Sequence, residues 1–171
     1  MGRAVNSVPA WRWSKEIVLL KPNPTNLCFG CGGANERGML LTFEQDDAAQ
    51  RIRGNFRLGA EYQGGAGFIH GGIIATVLDE VLGKVCRFRG VRAVTAELSI
   101  EYLKPVPVDA DLVVEGYEVE MKGRNLFLAG DIRDVAGQVL ARGKGRFVIL
   151  KAKQAVPEGA PQELAGKPLE K

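Results

Sequence analysis

Helical periodicity occurs once in this chain of 171 residues. From residue 71 to about residue 87, Ile73, Ile74, Val77, Leu78, Val81, Leu82 and Val85 share one broad apolar face. Everything else that looks ordered has strand character. Residues 39–44 and 51–58 flank the turn-prone Asp46-Asp47 and should pair as a hairpin. Four more strand-like segments follow near 93–104, 111–121, 125–134 and 138–150, separated by Pro105-Val106-Pro107, Lys122-Gly123 and Ala136-Gly137. They read as an antiparallel meander. In the first, Ala96, Leu98, Ile100 and Tyr102 alternate with Thr95, Glu97, Ser99 and Glu101, so one face packs and the other is wetter. A lone apolar helix must bury its face against something, and the sheet is the available partner, which predicts a two-layer α+β domain. Such a sheet leaves a long edge strand, and pairing that edge with a second copy predicts a homodimer, or a dimer of dimers.

Composition bounds the rest. Residues 1–27 read as an irregular extension, with Trp11 and Trp13 as anchors and Pro22 and Pro24 opposing a long helix. Residues 28–150 form the domain, and 151–171, with Pro157, Pro161 and Pro168, read as a flexible tail. A net charge of +3 without a clustered basic stripe argues against nucleic acid. No apolar run approaches the ~18 residues of a membrane span. The first ten residues lack a leader-like apolar core, and Asn6 stands where myristoylation wants Ser or Thr. Three cysteines, Cys28, Cys31 and Cys86, are an odd number and fit free thiols in a reducing, cytoplasmic setting.

The only histidine, His70, stands where a glycine-rich loop, residues 62–69, meets Gly71-Gly72 and the helix. A helix N-terminus presents unpaired N–H groups and positive dipole charge, which suit a developing oxyanion. Asp79 lies about two and a half turns further on and can act as a base or nucleophile. On a helical wheel it neighbours Gly72, Ala75, Gly83 and Cys86, at the border of the buried face, where small side chains leave room. Glu80 reads differently, as a solvated partner of Lys84 at i, i+4. A lone histidine and the absence of a nucleophile elbow give a serine triad little support.

The run His70-Gly71-Gly72-Ile73-Ile74-Ala75-Thr76-Val77-Leu78-Asp79 resembles the signature of hotdog-fold acyl-coenzyme A thioesterases. Tyr62-Gln63-Gly64, Thr95-Ala96-Glu97-Leu98, Tyr102-Leu103-Lys104-Pro105-Val106-Pro107 and Cys28-Phe29-Gly30-Cys31-Gly32 extend the likeness over about residues 26–150, toward the branch of the phenylacetate-pathway and superfamily-4-like thioesterases. The resemblance implies a helix wrapped by a curved antiparallel sheet of five to six strands, dimers joined edge to edge, and hydrolysis of an acyl-CoA to a carboxylic acid and free coenzyme A. It implies that Asp79 activates water or attacks the thioester. Gly71 N–H would bind the thioester oxygen from the facing subunit, His70 would orient the carbonyl or shape the loop, and Thr95 would hold the water or the carboxylate.

Gln63, Gly64 and Gly72 would border the substrate; Gly64 stands where some relatives carry asparagine. Among the cations near the helix end and strand ends, Arg87, Arg89, Arg92, Lys104, Lys122 and Arg124, the choice for coenzyme A phosphates falls on Arg92 and Lys104. No cofactor and no metal are expected: Cys28-x-x-Cys31 has half the spacing of a zinc site, and no second Cys or His pair completes it. The implied role of that pair is structural or pocket-lining. Two other readings stay open, a hotdog acyl-CoA-binding or regulatory module without turnover, and a hotdog dehydratase.

Overall fold

The computed structural model describes residues 17–151. The elements in chain order are β1 (Ile17–Leu20), β2 (Phe43–Asp46), β3 (Arg51–Phe56), a single 3-10 turn (Ala60–Tyr62), α1 (Gly71–Phe88), β4 (Ala93–Tyr102), β5 (Leu112–Lys122), β6 (Asn125–Asp134) and β7 (Val139–Ile149). The strands form one antiparallel sheet of seven, in the order β1-β2-β3-β5-β6-β7-β4. Trp11, Trp13 and the tail from residue 152 lie outside the described residues.

Among the described residues α1 is the one α-helix, where the apolar spacing predicts it, and it packs against strands β2 to β7. Its buried residues are Ile74, Val77, Leu78, Val81, Leu82, Val85 and Cys86. The seat for this face is a row of residues running across the sheet in register: Ile52, Gly116, Gly130, Gly143 and Ile100. Three adjacent strands thus present glycine at the same level. Side-chain atoms of Val81 and Leu82 stand 3.1–3.4 Å from where a Cβ on Gly116 would be, and those of Leu78 at 3.3–3.4 Å from one on Gly143. Gly145 makes the same allowance for Leu82, at 3.2 Å. Glycine in a strand interior weakens the strand, but here it lets the helix approach the sheet backbone closely.

Three expectations need correction. The sheet has seven strands rather than five to six, because Ile17–Leu20, within the stretch expected to be irregular, pairs antiparallel with β2. Second, β4 to β7 do not form a four-strand meander. The helix carries the chain across the sheet face, so β4 starts at the far edge beside β7, and residues 103–111 return the chain to the middle, where β5 pairs with β3. Only β5, β6 and β7 meander. Third, the strand expected from Met39 begins at Phe43. Leu40 has φ of 50°, a left-handed conformation that breaks pairing. Met39 N–H and Leu41 N–H instead donate to the carbonyls of Phe29 and Gly30, at 2.8 and 2.9 Å, stitching this segment to the Cys28–Gly32 loop.

The glycine row generates a test. In Gly130→Ala the added methyl would stand 2.6 Å from the backbone oxygen of Glu115, so the strand itself must shift. The expected loss is about 1–3 kcal/mol in urea unfolding. An unchanged midpoint would mean that the close seat of α1 is not under this constraint.

Candidate active site

The entrance to α1 is built by a closed loop. His70 N–H donates to Tyr62 O at 2.9 Å, Gly64 N–H to Phe68 O at 2.9 Å, and Ile69 N–H to Val106 O at 2.8 Å. Gln63, predicted to border the substrate, holds this loop shut: its Oε1 accepts from Gly67 N–H at 2.8 Å. Gly64 is required by packing, since a Cβ there would lie 3.0 Å from His70 Cα. His70 is the N-cap of α1, its Nδ1 accepting from Gly72 N–H at 2.9 Å. An accepting Nδ1 places the ring proton of the neutral imidazole on Nε2. The Gly72 donor is therefore spent on the cap. Gly71 N–H donates to no partner among the described residues, which leaves one unpaired amide at the positive end of the helix.

Tyr102, at the end of β4, is given no site role by the likeness, yet it braces the helix entrance. Its hydroxyl donates to Gly71 O at 3.0 Å, and its ring lies 3.5 Å from where a Gly71 Cβ would be. The alternation of β4 places Tyr102 on a face, but nothing in it announces a contact with the helix entrance.

Asp79 and Thr95 come together as the resemblance implied. Thr95 Oγ1 donates to Asp79 Oδ1 at 2.7 Å, joining α1 to the edge strand β4. Both line a groove of about 560 Å³ with Gly83, Cys86, Arg92 and Phe147. Gly83 leaves open space beside the carboxylate, in keeping with the small-neighbour reading of the wheel. Burial pushes the Asp79 carboxyl above its ordinary value, the Thr95 hydroxyl pulls it down, and the negative charge of Glu80 adds to the rise. A carboxylate whose proton affinity is raised is a stronger base than one in water.

Within one chain this carboxylate and the open amide of Gly71 do not meet. They lie eight residues apart on one helix, an axial separation of about 12 Å. Arg92 is on the Asp79 groove, whereas the exposed Lys104 is two residues beyond Tyr102, toward the helix entrance. Arg89 and Lys122 are engaged elsewhere, with Glu118 at 2.7 Å and Glu120 at 2.8 Å.

Glu80 requires correction. It is no solvated surface acid: its side chain and that of Lys84 are each only 15% exposed, 4.0 Å apart. Cys28 Sγ donates to Glu80 Oε1 at 3.0 Å, and Lys84 Nζ donates to Cys31 Sγ at 2.9 Å. The loop of residues 28–32 packs over this part of the helix, a contact that the i, i+4 spacing alone does not reveal.

Residues 66–141, spanning the end of the entrance loop, α1, β4, β5, β6 and the first residues of β7, match the family model described as Thioesterase superfamily. Over those residues the chain is similar to that superfamily. The rat acyl-coenzyme A thioesterase THEM4 (Rattus norvegicus) is 38% identical over 93 residues, 54% of this chain and 40% of the relative. The chain thus spans less than half the length of that curated relative. A solved thioesterase superfamily protein is 36% identical with a TM-score of 0.65, over 68% of this chain and 57% of that one. A Bacillus halodurans protein solved with CoA is 26% identical with a TM-score of 0.57, over 64% and 74%. The hotdog expectation is met: one helix against a large antiparallel sheet, with one strand more than the upper expected number. Among the described residues no helix is long and apolar enough to cross a membrane.

The Asp79–Thr95 contact predicts a titration. Thr95→Val removes the hydroxyl that favours the charged form, so the Asp79 carboxyl, followed by carbon NMR, should titrate at higher pH than in the wild type. The folded state binds this proton more tightly than the unfolded chain, so Asp79 withdraws stability as pH rises from the ordinary carboxylate value through the raised one. The stability of Asp79→Asn relative to wild type should therefore grow across that window. A downward shift in Thr95→Val would contradict the assignment.

Proposed function

We propose that the protein is an acyl-CoA thioesterase, hydrolysing an acyl-coenzyme A to a carboxylic acid and free coenzyme A in a site shared by two copies of the chain. The observation that carries this reading is the pairing of a buried-edge carboxylate, Asp79 held by Thr95, with a free amide at the entrance of the same helix, too far away to serve the same carbonyl in one chain. A thioester is already activated, so a positioned water, a carboxylate and an oxyanion donor suffice without metal or organic cofactor.

In this mechanism β4 pairs with β4 of a second copy along its free edge, which brings each Asp79 toward the Gly71 of the facing subunit. The edge is suited to this: β4 ends the sheet and exposes Val94 and Tyr102 to 50% and 55%. Asp79 takes the proton of the attacking water, or attacks the carbonyl itself to form a mixed anhydride that water then hydrolyses to the acid and free Asp79. Gly71 N–H stabilises the oxyanion, aided by the helix dipole. His70 acts through the loop, capping the helix so that Gly72 is occupied and Gly71 is not. Thr95 keeps the carboxylate aimed. The thiolate of coenzyme A leaves and is protonated from water. Arg92 and Lys104 supply cations for the phosphates. The relatives named acyl-coenzyme A thioesterase and the Bacillus halodurans protein solved with CoA support the substrate class. The free cysteines suit a reducing, cytoplasmic location.

Thiol release across short, medium, long and aryl acyl-CoAs tests the proposal. Asp79→Asn should lower turnover by about two to four orders of magnitude. Gly71→Pro deletes one N–H at a position where a helix accepts proline, and His70, with ψ of 139°, already suits a following proline. Its expected loss is about 10²- to 10³-fold with the fold retained. Binding of acyl-CoAs without thiol release, or wild-type turnover in Asp79→Asn, would overturn the reading.

A further inference from the structure

We propose that Cys28, Cys31 and Glu80 form a binding site for one thiophilic divalent cation, of the zinc class, beside the Asp79 groove. The inference is independent of the thioesterase reading, since none of these side chains is given a step in it.

The three ligand atoms, two Sγ and one carboxylate oxygen, lie within 4.8 Å of one another. Tetrahedral zinc with bonds of about 2.0–2.3 Å needs neighbouring ligands about 3.5–3.8 Å apart, a closure that side-chain rotation supplies. The turn is built for convergence. Gly32 N–H donates to Cys28 O at 3.0 Å, and Cys28 N–H to Asn26 Oδ1 at 2.7 Å. A Cβ on Gly32 would sit 2.4 Å from both Asn26 O and Cys28 N, and one on Gly30 would sit 2.4 Å from Glu80 Cγ. Any side chain at either position would open the turn or push the carboxylate away.

Charge balance completes the case. Two thiolates and a carboxylate carry three negative charges; a divalent cation and the Lys84 ammonium, which already donates to Cys31 Sγ, carry three positive ones. Binding replaces the two thiol protons, which pass to solvent. The spacing arithmetic that counted only cysteines and histidines could not include a third ligand from the helix. Three protein ligands leave one position for water. Bound metal would tie the loop of residues 28–32 to α1 one residue from Asp79, making the pocket wall rigid.

The test is a titration of the full-length, reduced, chelator-treated protein with zinc and, separately, cobalt. The expected result is one equivalent per chain, a sulfur-to-cobalt charge-transfer band, and a rise in Tm with zinc. Cys31→Ser should abolish the band and Glu80→Gln should weaken binding by about tenfold or more; Cys86→Ala should keep both. Absence of the band in the wild type overturns the proposal, whatever the folding of the variants. So does a band that survives replacement of Cys28 and Cys31 together. Thiol release is read separately, so failure here leaves the hydrolase reading standing, and the reverse.

Discussion

The close seat of α1 on the sheet governs everything else. Gly116, Gly130 and Gly143 align across three strands, and Leu78, Val81 and Leu82 settle onto them. That contact fixes the rotation of the helix about its own axis. With Leu78 and Leu82 facing the glycines, Asp79 must face the edge strand and Glu80 the loop that precedes β2. The carboxylate reaches Thr95, the acid next to it reaches Cys28, and both consequences follow from one packing decision. A helix turned by one residue would bury Asp79 without a hydroxyl partner, at a cost few folds tolerate.

The same seat creates a division of labour along the helix. Its entrance is held by His70, Tyr62 and Tyr102, which together leave one amide open. Its middle carries the carboxylate, about 12 Å away along the axis. Both ends of this distance lie against β4, whose outer edge ends the sheet. A two-fold pairing along that edge runs the two helices past each other in opposite senses, so that the entrance of one comes alongside the middle of the other. In the proposed mechanism the chain holds two half-sites, and dimerisation would be part of the catalytic apparatus as well as a means of covering an edge.

Local features of this architecture were legible in the residues. The helix was written in its apolar spacing, β5, β6 and β7 in their alternation and turns, and the Asp79–Thr95 pairing in the likeness of two short motifs. Long-range features were not. β1 is four residues whose strand character depends on β2, and β4 reads the same whether it lies beside β5 or at the opposite edge. Glu80 and Lys84 have the spacing of an ordinary exposed pair, and only the loop of residues 28–32 folding over them makes them interior. Each of the glycines at 116, 130 and 143 would by itself weaken its strand; their meaning appears when register puts them side by side. What sequence pattern conveys is periodicity, and what it omits is which distant segment closes over a face.

The shared site is most directly tested by mixing two inactive variants. Asp79→Asn and Gly71→Pro, each purified as an inactive dimer, would be dissociated together and reassociated at equal ratio. If each site draws its carboxylate from one chain and its amide from the other, every mixed dimer contains one intact site. Thiol release should then recover to about a quarter of the wild-type rate, since half of the dimers are mixed and each has one working site of two. If both groups act within a single chain, no combination restores a site, and a mixture that stays as inactive as its components would contradict the account.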